Sequence, residues 1–171
     1  KLLIKNNADV AVRDGRGRTP VDIAISNNND DIKKLLLAKA AETSIHAAVM
    51  LGDQEKVKAF LDQGSDANVE DDKGNTPLFY AVRGSHDELA QFLIDQGADV
   101  NHKDKDGYIF LSWAIWNEDR DMIKILVTNG ADVNLVVGSD WPFLHYLAWN
   151  NDRELVELFL AHGAKLNVKD K

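Results

Sequence analysis

There is no cysteine among the 171 residues. Disulfides and thiolate metal or redox sites are excluded, and the composition fits a reducing, intracellular (cytoplasmic) compartment. No apolar run approaches the 18 or more residues that a membrane-crossing helix needs, so membrane insertion is not expected. No signal-peptide pattern is read in these residues. The chain opens on Lys1, and we expect a fragment of a longer protein whose address lies outside it. Positive charge is scarce: 20 Lys and Arg stand against 28 Asp and Glu, for a net charge of −8. Binding to a phosphate backbone needs a basic face, so nucleic acid is not an expected partner.

Catalytic signatures are missing as well. There is no P-loop and no nucleophile elbow. Gly15-Arg16-Gly17 is too short for a dinucleotide fingerprint, and no strand precedes it. Asp104-Lys105-Asp106-Gly107 opens like a calcium loop, but Ile115 stands where the twelfth-position Glu is required. The five histidines are scattered, with no second metal ligand at helical spacing. The sequence therefore points to a non-catalytic protein without metal or cofactor.

What is present is a period. Gly64, Gly97, Gly130 and Gly163 are each 33 residues apart, and so are Asn68, Asn101, Asn134 and Asn167. Four apolar segments, starting at residues 43, 76, 109 and 142, keep the same spacing. Within one unit, Thr76-Pro77 supplies an N-cap hydroxyl and a proline whose missing N–H is harmless in a first turn. Leu78, Ala81 and Val82 then fall on one helical face, and Gly84-Ser85 ends the helix. Asp87-Glu88 opens a second helix at the positive end of its dipole, with Leu89, Phe92 and Leu93 inward. Gly97 provides the left-handed C-terminal residue, and residues 98–107 run as an extended excursion with a turn.

This helix–turn–helix–finger unit resembles the ankyrin repeat. The resemblance is carried by Thr76-Pro77-Leu78, Thr19-Pro20 and the Gly-Ala-Asp-Val-Asn of 97–101 and 130–134, with partial matches at Ile45-His46-Ala47-Ala48 and Leu144-His145. It implies an all-α solenoid of antiparallel helix pairs with β-hairpin fingers. The units divide as a partial repeat 1–13, then 14–40, 41–70, 71–103, 104–136 and 137–169. From Thr19 to Thr43 is only 24 residues, nine short of the period, and the missing piece is a finger. We therefore expect no hairpin between residues 37 and 44, and a change of stacking or a hinge near Lys39 to Glu42. On this division, residues 1–40 end one array and residues 41–171 form a second stacked on it. The Val137-Gly138-Ser139-Asp140 turn departs from the family pattern, so the last finger should be irregular. No polar capping repeat is evident at either end.

The resemblance also assigns roles. His46 and His145 hold the position whose imidazole bonds backbone in the neighbouring turn, while His86, His102 and His162 are expected in solvent. Partner contacts in this family come from the turn before Thr-Pro and from the end of the first helix, on the concave side. Those slots hold Asp72, Lys73, Asn75 and Arg83 in one unit, then Lys105, Asp106, Tyr108, Trp116 and Asn117. In the last unit they hold Gly138, Ser139, Trp141, Trp149 and Asn150, and Met50 with Leu51 fills the helix-end slots two units before Trp116. Trp113, Tyr80 and Tyr146 occupy a phase that packs between repeats. Large exposed rings cost solubility unless a partner covers them, and such rings dominate binding hot spots. Asn101 and Asn134, each eight residues after a leucine, are similar to the sites of asparaginyl hydroxylases. Acids at the starts of second helices are explained by the helix dipole. The expected function is a monomeric protein-interaction module, with a scaffold or regulatory segment of a longer enzyme or effector as the alternative.

Overall fold

The computed structural model describes residues 9–105, 107–134, 136–137 and 141–166, the side chains of 136, 137 and 141 excepted. Ten helices occur among the described residues, in pairs: α1 (Pro20–Ser26) with α2 (Asp30–Ala40), α3 (Ile45–Leu51) with α4 (Gln54–Asp62), and α5 (Pro77–Arg83) with α6 (Asp87–Asp95). Then come α7 (Phe110–Trp116) with α8 (Arg120–Thr128), and α9 (Phe143–Trp149) with α10 (Arg153–Ala161). This is an all-α repeat solenoid. Each pair turns through a left-handed residue, filled by Asn28, Gly52, Ser85, Glu118 and Asn151 in succession. In the last four pairs the second helix ends on another, as at Gly97 with φ +91°, while α2 ends on Ala41 in a right-handed conformation. A single core runs from Val21 to Phe159, with Leu78, Phe110 and Phe143 fully buried, because each unit hides its apolar stripe only against its neighbours.

Fingers close as tight hairpins. Asp71 N–H donates to Asn75 O and Gly74 N–H to Asp71 O, while the Asp71 carboxylate accepts from the N–H groups of Lys73 and Asn75. Asp14 and Asp104 head equivalent turns. In the last finger β1 (Val136–Val137) pairs antiparallel with β2 (Trp141–Pro142), and the turn expected to be irregular, 138–140, lies outside the described residues. Successive units are tied by asparagine. Asn68 Nδ2 donates to Gly97 O at 2.9 Å and its Oδ1 accepts from Asp99 N–H at 2.7 Å. Asn101 and Asn134 repeat this onto Gly130 and Asp132, and onto Gly163 and Lys165. The recurring Gly-x-x-x-Asn is thus the donor and acceptor set of an inter-repeat clamp.

No finger lies between residues 37 and 44. Helix α2 ends at Ala40, Ala41 is fully buried, and the chain reaches Ser44, the N-cap of α3, almost at once. Helix α2 packs directly on α3, as closely as helices within one unit do, whereas α1 and α3 form no contact comparable to that between α3 and α5. Stacking is altered here, although the core continues across the join.

The expected Thr76 cap is not made. Thr76 occupies the N-cap position, but the Phe79 N–H that its hydroxyl would bind is donated to Thr76 O, and the buried hydroxyl has no partner among the described residues. Thr19, at the equivalent place, forms a full capping box with Asp22. The difference lies in the residue three further on: Asp22 answers Thr19, while Phe79 cannot answer Thr76. His145 shows the converse. Its Nδ1 is buried without a partner among the described residues, and Pro142, three residues earlier, has no hydroxyl to offer. His46 Nε2 lies 2.9 Å from Val69 O in the next turn, as the resemblance implies. His102 differs from expectation: it is largely buried, 3.1 Å from Gly74 O and stacked on Phe110.

Pairing these positions gives opposite outcomes for two substitutions. Thr19→Val should destabilise by about 1–2 kcal/mol by removing a working cap. Pro142→Thr should stabilise by about 1 kcal/mol by capping α9 and giving His145 a partner. Urea denaturation of both variants checks the two signs.

Candidate functional site

Three aromatic rings meet at the end of α7 and the finger before it. Tyr108 and Trp116 pack edge to face with centroids 5.0 Å apart, and Trp113 meets Trp116 at 5.4 Å and Tyr108 at 6.4 Å. Residues 113 and 116 share a helix face by their spacing of three, and the hairpin returns Tyr108 to it. Trp113 also packs edge-on against Phe79 of the preceding unit at 6.0 Å, as its inter-repeat phase requires. Arg83, the last residue of α5, lays its guanidinium over Phe79 at 5.6 Å and over Trp113 at 5.5 Å. The core side of this cluster is buried, while Tyr108 and Trp116 keep 38% and 39% of their surface. Trp149, one period after Trp116, is 70% exposed.

A polar frame holds the rings in place. Tyr80 O–H donates to Asp71 Oδ2 at 2.5 Å, and one repeat later Trp113 Nε1–H donates to Asp104 Oδ2 at 3.3 Å. In these two successive units the same position thus carries an aromatic residue with a donor, which fastens the first helix to the turn of its own finger. Burial pushes the Asp71 carboxyl up, but the hydrogen bonds from Tyr80, Asn75 and Lys73 outweigh it and hold the group below its ordinary range. Burial also raises the Tyr80 hydroxyl, reinforced by its bond to Asp71.

Among the other sequence candidates, Arg83, Lys105, Asn117 and Asn150 are exposed, and Met50 and Leu51 are half-buried against the core. Lys105 covers Gly74 and donates to Asp72 O. Asn75 is buried at 8% and sits beneath the hairpin beside Tyr80. Asp106, Gly138, Ser139 and the side chain of Trp141 lie outside the described residues. Asn101 and Asn134 hold the inter-repeat clamp, so a hydroxylase would meet amides already engaged on both atoms. No group of residues able to hold a metal ion occurs among the described residues, and no helix there is long and apolar enough to cross a membrane.

The family models for ankyrin repeats match residues 45–137, as three copies, and 121–160. The chain belongs to the ankyrin-repeat family. Among curated relatives, it is 27% identical over 98 residues to the transient receptor potential cation channel subfamily A member 1 homolog of Caenorhabditis elegans, covering 53% of this chain and 8% of that one. It is 32% identical over 99 residues to the neurogenic locus Notch protein of Drosophila melanogaster, covering 43% and 4%. It is 40% identical over 47 residues to ankyrin repeat protein FPV230 of fowlpox virus, covering 28% and 25%. The chain spans well under half the length of each of these relatives. What they share with it is the repeat, and ankyrin repeats are in general protein–protein interaction modules, typically without catalytic activity.

The Asp71–Tyr80 bond has a pH signature. Because the folded carboxyl titrates below its ordinary 3.8, its contribution to stability is present above that value and is lost as pH falls through the lowered one. Tyr80→Phe should cost about 1.5–3 kcal/mol at neutral pH, the range for a hydrogen bond to a charged group. The gap between variant and parent should narrow below pH 3.8, which denaturant titrations at neutral and acid pH would show.

Proposed function

We propose that this ankyrin-repeat array is a non-catalytic, monomeric module that grips a protein partner through an aromatic patch on its concave face. Tyr108, Trp116, Trp141 and Trp149 form the patch, with Arg83, Lys105 and Asn117 on its polar border. The supporting observation is that Tyr108 and Trp116 are in ring contact with each other yet remain more than one-third exposed. Tryptophan and tyrosine offer large rigid area at low entropic cost, and each buries roughly 150–250 Å² on contact. Arg83, whose guanidinium lies within 5.6 Å of the Phe79 and Trp113 ring centres, adds a donor set at the edge of that surface.

The test compares binding with folding. Trp149→Ala should leave stability within about 0.5 kcal/mol, since the ring is mostly in solvent. Trp116→Ala should cost about 1–2 kcal/mol, because two ring contacts are lost. Each should weaken partner binding by about 2 kcal/mol or more. The readouts are the unfolding midpoint and the affinity for a partner isolated on the parent protein. Unchanged affinity in both variants would remove the patch from the function.

A further inference from the structure

The missing finger leaves a cleft. Because α1 does not pack on α3 as α3 packs on α5, a cavity of about 810 Å³ opens between them on the finger side. Its floor includes Thr43, Ala47 and Met50; Ile25 and Arg16 lie on one wall, and Tyr80 and Arg83 on the other. A volume of this size is within the range of sites that enclose a ligand, and the mixture of apolar floor and polar rim suits an extended peptide. The fingers on either side reach toward each other across the mouth, through ion pairs of Arg13 with Asp72 and of Lys73 with Asp22.

The charge of the cleft opposes that of the chain. Six Lys and Arg line it against four Asp, in a protein where acids outnumber bases 28 to 20. Its acids are already engaged. Asp22 and Asp72 pair with cations, Asp71 accepts three hydrogen bonds, and Asp9 accepts the Ala11 N–H. Two of its guanidiniums are not. No carboxylate meets Arg16 or Arg83 among the described residues, and Arg83 is held in place by Phe79 and Trp113 instead. A guanidinium positioned by ring contacts still has N–H donors for a carboxylate and loses little freedom on binding one.

We propose that the cleft binds an extended acidic segment of a protein partner, which lies where the absent finger would stand and sets carboxylates on Arg16 and Arg83. This goes beyond the aromatic reading. It gives the module a second, charge-selective contact, seated beneath the two ion pairs that bridge the fingers.

The probe is fluorescein-labelled hexaglutamate, with hexalysine as its opposite, titrated by fluorescence anisotropy at fixed ionic strength. The parent protein should bind hexaglutamate and not hexalysine. The double variant Arg16→Gln/Arg83→Gln should lose affinity by about ten-fold or more, while its melting temperature stays near that of the parent. Lys34→Gln/Lys58→Gln removes the same charge outside the cleft and should bind as the parent does. Trp149→Ala should also bind hexaglutamate normally, which separates this result from the fate of the aromatic patch. Failure of the parent to bind hexaglutamate, preference for hexalysine, or equal losses in the two double variants would overturn the proposal.

Discussion

An asparagine side chain bridging two repeats is the contact on which the regularity of this array depends. Apolar burial drives the helices together, but it is non-directional and would tolerate sliding of one unit over the next. The amide of Asn68, bonded to both Gly97 O and Asp99 N–H, does not tolerate it: a small slip breaks two hydrogen bonds. The same clamp at Asn101 and Asn134 propagates one fixed step through the second half of the molecule. Everything that depends on register follows, including the side-by-side fingers and the ring of Trp113 against Phe79.

Where the step is interrupted, the molecule changes character. The nine residues that would form the second finger are absent, and α2 turns straight onto α3. Burial of Leu37 and Ala41 keeps the core continuous, so the loss falls on the polar, finger-bearing side. A solenoid can lose a finger more cheaply than a helix because the finger contributes little to the apolar stack. What it loses in regularity appears as a recess with its own charge and shape.

The period, the helix pairs, the left-handed glycines and the absent finger were all legible in the sequence, since each depends on local chemistry repeated in phase. Pairings that depend on two positions at once were not. Thr76 looked like a cap, and only the identity of Phe79 together with the geometry of the first turn shows that its hydroxyl is idle. His102 was expected in solvent because it sits in a loop, yet the neighbouring finger brings Gly74 O to its ring. Trp113 was assigned to the inter-repeat core and does pack there, but it also joins Tyr108 and Trp116 at the surface. Asn75 lay in a slot that usually faces a partner and is buried beneath its own hairpin. Arg16 carried no signal of its own. The clue to it was the 24-residue interval, which marks the place of a gap without naming what lines it.

The two ion pairs that span that gap also bear on mechanics. Arg13 and Asp72 join fingers separated by 59 residues of chain, and Lys73 reaches Asp22 across 51. Exposed pairs of this kind are worth no more than about 1 kcal/mol. They are also screened over roughly 10 Å at 0.1 M salt. The buried stack therefore sets how the units sit on one another, and the two pairs add only a small, salt-screened preference to how the fingertips meet. At the join, the apolar contacts are as close as within a unit, and what the missing finger removes is a row of polar contacts that salt can screen.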